Sequence, residues 1–153
     1  MCVVSLAVSM KATYNTLHES GLLNKAVDVA LEVRQRAYAP YSQFLVGAVL
    51  IDDQHHFHMG CNVENASYGL TQCAERSAVT AATAAGRRSM LACVIVTDTE
   101  EPTMPCGACR QVLAEYGTDL LVVSRTLSGA ERIAMLSELL PHSFGPTSLP
   151  ARG

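Results

Sequence analysis

The sequence predicts an α/β fold, a three-layer α/β/α sandwich around a mixed five-stranded sheet. Three observations carry this reading. Two apolar stretches joined by a turn read as an opening hairpin, strand and helix patterns alternate after it, and 153 residues suffice for one core and one domain.

The elements follow in order. Residues 1–20 are expected to form a poorly ordered N-terminal extension: Met1 to Met10 is apolar, and Lys11 follows that stretch where a secretory signal needs its charge in front. The domain proper is placed at 21–149, with a tail at 150–153. Gly21 to Tyr38 carries Leu22, Leu23, Ala26, Val27, Ala30, Val33 and Ala37 at helical spacing and ends before Pro40. Phe44 to Ile51 is too short and β-branched for a helix, and the Asp52-Asp53 turn leads to a second strand over His56 to Val63. Asn65 to Gly69 is a polar loop. Thr71 is the expected N-cap of an alanine-rich helix reaching Ala85 and stopped by Gly86; with alanines on nearly every face, it should be buried on more than one side. Leu91 to Thr97 reads as a strand, Pro105 to Tyr116 as a helix, Leu120 to Ser124 as a strand, Arg125 to Ile133 as a fifth, edge strand, and Leu136 to Leu140 as a short helix.

Composition excludes several functions. Charged residues are 16% of the chain, against roughly 25% in typical soluble domains, while 49% are hydrophobic. That apolar excess needs burial, most simply in a subunit interface. A net charge of −3 offers no basic footprint for a polynucleotide. The longest apolar run, Phe44 to Ile51, falls far short of the ~18 to 20 residues of a membrane helix, so a soluble, cytoplasmic protein is expected. The six cysteines are read as reduced thiols, because a chain this size needs no disulfide framework.

Chemistry concentrates in two motifs. Cys106-Gly107-Ala108-Cys109 follows Pro105 and opens a helix, a spacing that suits either a redox pair or two zinc ligands. Cys73-Ala74-Glu75, at the start of another helix, adds a third thiolate with a carboxylate two residues on. Three protein ligands leave a tetrahedral zinc one open position, the mark of a catalytic rather than a closed structural site. A water held there has its pKa lowered to around 7, and Glu75 can accept and return its proton.

Around these motifs the chain resembles the small cytidine deaminase family. The likeness runs through Tyr38-Ala39-Pro40-Tyr41-Ser42-Gln43-Phe44-Leu45-Val46-Gly47-Ala48, Gly60-Cys61-Asn62-Val63-Glu64-Asn65-Ala66-Ser67-Tyr68-Gly69-Leu70, Cys73-Ala74-Glu75-Arg76 and Pro105-Cys106-Gly107-Ala108-Cys109-Arg110-Gln111, closing with Leu139-Leu140-Pro141 and Phe144-Gly145-Pro146. It implies hydrolytic deamination of cytidine and deoxycytidine within pyrimidine salvage, with Zn2+ on Cys73, Cys106 and Cys109 and Glu75 as the catalytic proton shuttle. By the same resemblance Phe44 would stack on the base, while Asn62 and Glu64 would bind the ribose hydroxyls. The backbone of Ala74 would read the base edge, Tyr68 would belong to the substrate pocket, and Arg76 would offset the negative charge of the thiolates. A cysteine rather than a histidine at position 73 resembles the homotetrameric class, in which Phe144 would enter a neighbouring subunit's site.

Other features have plain readings. His55, His56 and His58 flank a turn on alternating sides of a strand, which favours a solvated hairpin arm over a metal cluster. Cys61 and Cys93 suit small buried strand positions. Competing functions are deamination of a bulkier cytosine nucleoside such as blasticidin S, a redox module on Cys106 and Cys109, or a zinc-stabilised binding domain.

Overall fold

A computed structural model describes residues 2–145 and 148–149, with side chains from Met10 onward. Pro146 and the tail at 150–153 lie outside the described residues. The chain runs α1 (Cys2–Glu19), α2 (Leu22–Arg34), β1 (Val46–Asp52), β2 (Phe57–Cys61), a 3₁₀ turn (Tyr68–Leu70), α3 (Ala74–Ala84), β3 (Met90–Thr97), α4 (Gly107–Ala114), β4 (Leu121–Thr126), β5 (Glu131–Met135) and α5 (Leu136–Leu139). Among the described residues, no helix is long and apolar enough to cross a membrane.

The sheet is mixed and five-stranded in the order β2-β1-β3-β4-β5, with only β3 and β4 parallel. Alternation along each strand sends side chains to two cores. Val46, Ala48, Leu50, Cys93, Ile95 and Val122 meet α3, α4 and α5, whereas Val49, Ile51, Val94, Val96, Leu121 and Val123 meet α1 and α2. Burial on both faces explains why β1 is a continuous apolar run. Because β2 and β3 are both antiparallel to β1, they run the same way. The helices that follow them, α3 and α4, therefore both begin at one end of the sheet.

Two glycines set how closely the helices sit. A Cβ at Gly60 would lie 2.3 Å from the Ala78 amide nitrogen and 2.4 Å from the Ala74 carbonyl oxygen, so α3 rests directly on β2. On the opposite face, a Cβ at Gly47 would lie 2.0 Å from the Ala30 carbonyl oxygen of α2.

Several expectations need correction. Residues 2–19 form a helix rather than a loose extension, and it is docked: Leu17 is buried, Met10 and Tyr14 pack on the α2-side core, and the Tyr14 hydroxyl donates to Glu131 Oε1 at 3.0 Å. Met10, Tyr14 and Leu17 stand at i, i+4 and i+7, one helix face. Helix α2 stops at Arg34, since Arg36 and Ala37 donate to carbonyls three residues back and Tyr38 then bonds to Asn62 and Glu64. Phe44 and Leu45 stay outside β1 because Asn62 Nδ2 and Arg34 Nε take their carbonyls, at 2.7 Å and 3.0 Å. Thr71 is not the N-cap of α3. Its hydroxyl accepts from the Asn65 amide at 3.2 Å, and Cys73 occupies the cap position.

The histidine-rich hairpin also departs from expectation. His55 and His56 are exposed, but His58 is buried against Asp52, itself fully buried. Asp52 accepts from the amides of Gln54 (2.9 Å) and His56 (2.8 Å) and faces His58 Nε2 (3.0 Å), His56 Nδ1 (3.3 Å) and Arg87 Nε (3.3 Å). Burial alone would raise its pKa. The bonds from His58 and the two amides outweigh that and hold it at about 2, below the ordinary 3.8. The depressed value stabilises the fold at neutral pH, and this contribution is lost as pH falls from about 4 through about 2. Asp52→Asn should therefore cost about 2 kcal/mol at pH 7 and flatten the pH dependence of the urea midpoint below pH 4. A variant with the parent's acid profile would contradict this assignment.

Candidate active site

The shared starting end of α3 and α4 brings three thiols together. Cys73 and Cys106 occupy the cap positions of α3 and α4, and Cys109 lies in the first turn of α4. Their Sγ atoms all lie within 4.8 Å of one another, with Cys73 and Cys106 at 3.9 Å. A tetrahedral zinc with bonds of about 2.3 Å needs sulfurs about 3.8 Å apart, so the donor set and its spacing fit that ion. The first intrahelical bonds are donated by Ser77 and Arg110 to the carbonyls of Cys73 and Cys106. Amides earlier in each first turn have no partner further back in the helix, and their dipoles favour negative charge at this point.

The thiols perturb one another. A hydrogen bond from Cys109, opposed by burial and aided by Arg76, lowers the pKa of Cys73. The same bond and burial raise that of Cys109. Arg76 Nη2 lies 3.5 Å from Cys73 Sγ and 2.9 Å from the Thr71 carbonyl, and its Nε is buried without a partner among the described residues. Glu75 is buried, which raises its pKa, with the charge of Cys73 adding to the effect.

A cleft of about 230 Å³ opens over this cluster. Cys73, Ala74, Glu75 and Cys106 line it together with Phe44, Asn62 and Glu64. Asn62 is buried and already committed on both sides of its amide: Nδ2 donates to the Phe44 carbonyl at 2.7 Å, and Oδ1 accepts from the Val46 amide at 2.9 Å. One N–H and one lone pair remain. Glu64 accepts from the amides of Tyr41 (2.8 Å) and Ser42 (3.2 Å) and from the Ser42 hydroxyl. The Ser42 hydroxyl leads in holding its carboxyl below the ordinary value, against slight burial and with help from the two amides.

Two expected residues lie elsewhere in this chain. Tyr68 is 73% exposed and lines an outer hollow with Tyr41, Ser42, Glu64 and Thr71. Phe144 is 60% exposed and does not line the cleft; its carbonyl accepts from Gln111 Nε2 at 2.8 Å. Sequence reasoning missed Ser42, Thr71, Thr97, Thr103 and Met104 as lining residues. Ser42 had a signal, since it sits inside a motif block, and Thr71 stands between two of them. The other three precede Cys106 by up to nine residues and reach the cleft only through the fold.

Residues 22–125 match the family model described as the cytidine and deoxycytidylate deaminase zinc-binding region. The chain belongs to this family. Among curated relatives, a cytidine deaminase of Halalkalibacterium halodurans is 48% identical over 116 residues, covering 75% of this chain and 88% of that one. Another from Sporosarcina psychrophila is 41% identical over 128 residues, covering 83% and 94%. A 1.6 Å crystal structure of cytidine deaminase from Burkholderia pseudomallei superposes with a TM-score of 0.77 at 46% identity, covering 79% of this chain and 98% of that one. The Mycobacterium tuberculosis cytidine deaminase structure gives 0.70 at 42%, covering 80% and 96%. These likenesses also bear out the three-layer deaminase-family fold with its mixed sheet.

For this deaminase-family chain the cysteine geometry predicts about one zinc ion per chain after purification, measured by atomic emission. Cys109→Ser should lower that content sharply while the circular dichroism of the sheet and helices is kept. Full zinc content in the variant would remove Cys109 from the ligand set.

Proposed function

We propose that the chain hydrolyses cytidine and deoxycytidine to uridine and deoxyuridine, releasing ammonia. The observation that carries this is the placement of Glu75, a buried carboxylate two residues from Cys73, in a cleft that also holds Phe44, Asn62 and Glu64. Cys73, Cys106 and Cys109 would hold zinc, which when bound supplies a Lewis acid able to bring the pKa of water near 7. Glu75 takes one proton of the attacking water and delivers it to N3, then takes the second from the hydroxyl now on C4 and delivers it to the amine, which departs as ammonia. The Ala74 backbone orients the base edge, and Phe44 covers the ring face. Asn62 and Glu64 accept and donate to the ribose through the hydrogen-bonding capacity their loop contacts leave free. Arg76 draws charge from the thiolates and keeps the metal site electrophilic.

Glu64 and the net charge of −3 repel a phosphate, which favours nucleosides over nucleotides. In an ultraviolet assay, cytidine and deoxycytidine should be consumed, with cytidine monophosphate and adenosine left intact; equal use of the monophosphate would overturn the nucleoside assignment. Glu75→Gln should retain zinc and lose ~10²- to 10⁴-fold in turnover. Loss of zinc with activity would instead make Glu75 a ligand or folding residue.

The reading extends to a cytoplasmic homotetramer. Helix α3 buries Ala74, Ala78 and Ala82 but leaves Ala81, Ala84 and Ala85 exposed, a smooth face suited to a second copy. The exposure of Tyr68 and Phe144 outside the chain's own cleft supports sites shared between copies. Mixing Phe144→Ala with Glu75→Gln subunits should restore activity above the sum of the two, because some hybrid sites draw both intact residues. A fully active monomer in sedimentation would overturn the assembly and the shared pocket together.

A further inference from the structure

The cleft has another polar wall, formed by the end of β3 and the loop leading to Cys106. Thr97 is buried and lines it, as does Thr103. Between them, Thr99 Oγ1 donates to the Glu101 carbonyl at 2.7 Å. A carbonyl can only accept, and a hydroxyl has one proton, so the Thr99 oxygen must accept every other bond it makes. Those bonds come from Thr97 at 2.8 Å and Thr103 at 3.2 Å. The protons of both cleft-lining threonines are thus committed to Thr99, and their oxygens have only lone pairs left to offer.

The wall is also held in place. Thr97 is paired with Val46 on one side and Thr126 on the other, and the Thr103 carbonyl accepts from the buried Ser124 hydroxyl at 2.8 Å. Neither hydroxyl can turn its proton into the cleft without breaking the chain of bonds that ends at Glu101.

We infer that Thr97 and Thr103 are specificity-determining residues: an acceptor-only wall that favours a pyrimidine nucleoside carrying an exocyclic N–H donor over one carrying a carbonyl there. The inference rests on the deamination reading. It adds that substrate and product are told apart by hydrogen-bond polarity, since the reaction exchanges an amine donor for an oxygen acceptor. An acceptor facing lone pairs gains no bond, and the product is left poorly held.

The test compares Kd for cytidine and uridine by titration calorimetry in the zinc-loaded Glu75→Gln background, where turnover is too slow to deplete the ligand. Adding Thr97→Val and Thr103→Val keeps side-chain shape and removes both acceptors. Cytidine binding should weaken roughly three- to ten-fold, with uridine binding unchanged or tighter, and Thr97→Ser with Thr103→Ser should restore the parent ratio. Equal loss for both nucleosides, or no change in either, overturns the wall. Absence of cytidine turnover by the unaltered enzyme would instead overturn the deamination reading, and the two failures are distinct. Zinc content and urea midpoint, measured alongside, should match the parent; if the valine pair unfolds, the serine pair with its single-site valine variants carries the same comparison.

Discussion

The close seat of α3 on β2 at Gly60 is the constraint on which the site depends. Helix α3 carries Cys73 at its cap and Glu75 in its first turn, and α4, with Cys106 and Cys109, packs against α3 and has further anchors of its own. Leu113 fixes α4 in the core, and Arg110 ties its start to the Pro105 and Leu139 carbonyls at 2.7 Å and 3.0 Å. The three-thiol triangle therefore depends on how the starts of these two packed helices are seated. A side chain at position 60 would push the start of α3 away from β2, and metal–sulfur bonds tolerate only a few tenths of an ångström.

Crowding three thiols and a buried carboxylate at one point creates a charge problem that the same architecture answers. Two helix starts aim their dipoles at the cluster, and Arg76 lies against Cys73 from α3 itself. Farther out, polar side chains serve as scaffolding before they serve as contacts. Asn62 fastens the strand leading into β1, and Glu64 closes the turn at Tyr41 and Ser42. Ligand-facing groups are thus preorganised by bonds to the backbone, which lowers the cost of ordering them when substrate arrives.

What could be read in the sequence was local. The apolar run of β1, the cysteine spacing and Glu75 beside Cys73 are patterns within a few residues, and the three thiols meet as that spacing suggested. What escaped depends on distant partners. The Met10, Tyr14 and Leu17 stripe has meaning only once α2 and β5 supply a surface for it. His58 looked like a solvated strand residue because Asp52 reads as a turn former, and nothing nearby announces that this aspartate is buried with Arg87. The threonines at 97, 99 and 103 form a network through a loop whose shape no periodicity encodes.

The bond between Tyr14 and Glu131 joins residues 117 apart in sequence. Helix α1 precedes in the chain the edge strand that receives it, so during synthesis it leaves the ribosome before that partner exists and can dock only once β5 has been made. Until then the sheet face it covers, including Leu121 and Val123, lacks its lid. Helix α1 thus acts as a closing latch on a domain whose three-cysteine cluster lies entirely ahead of β5 in the chain.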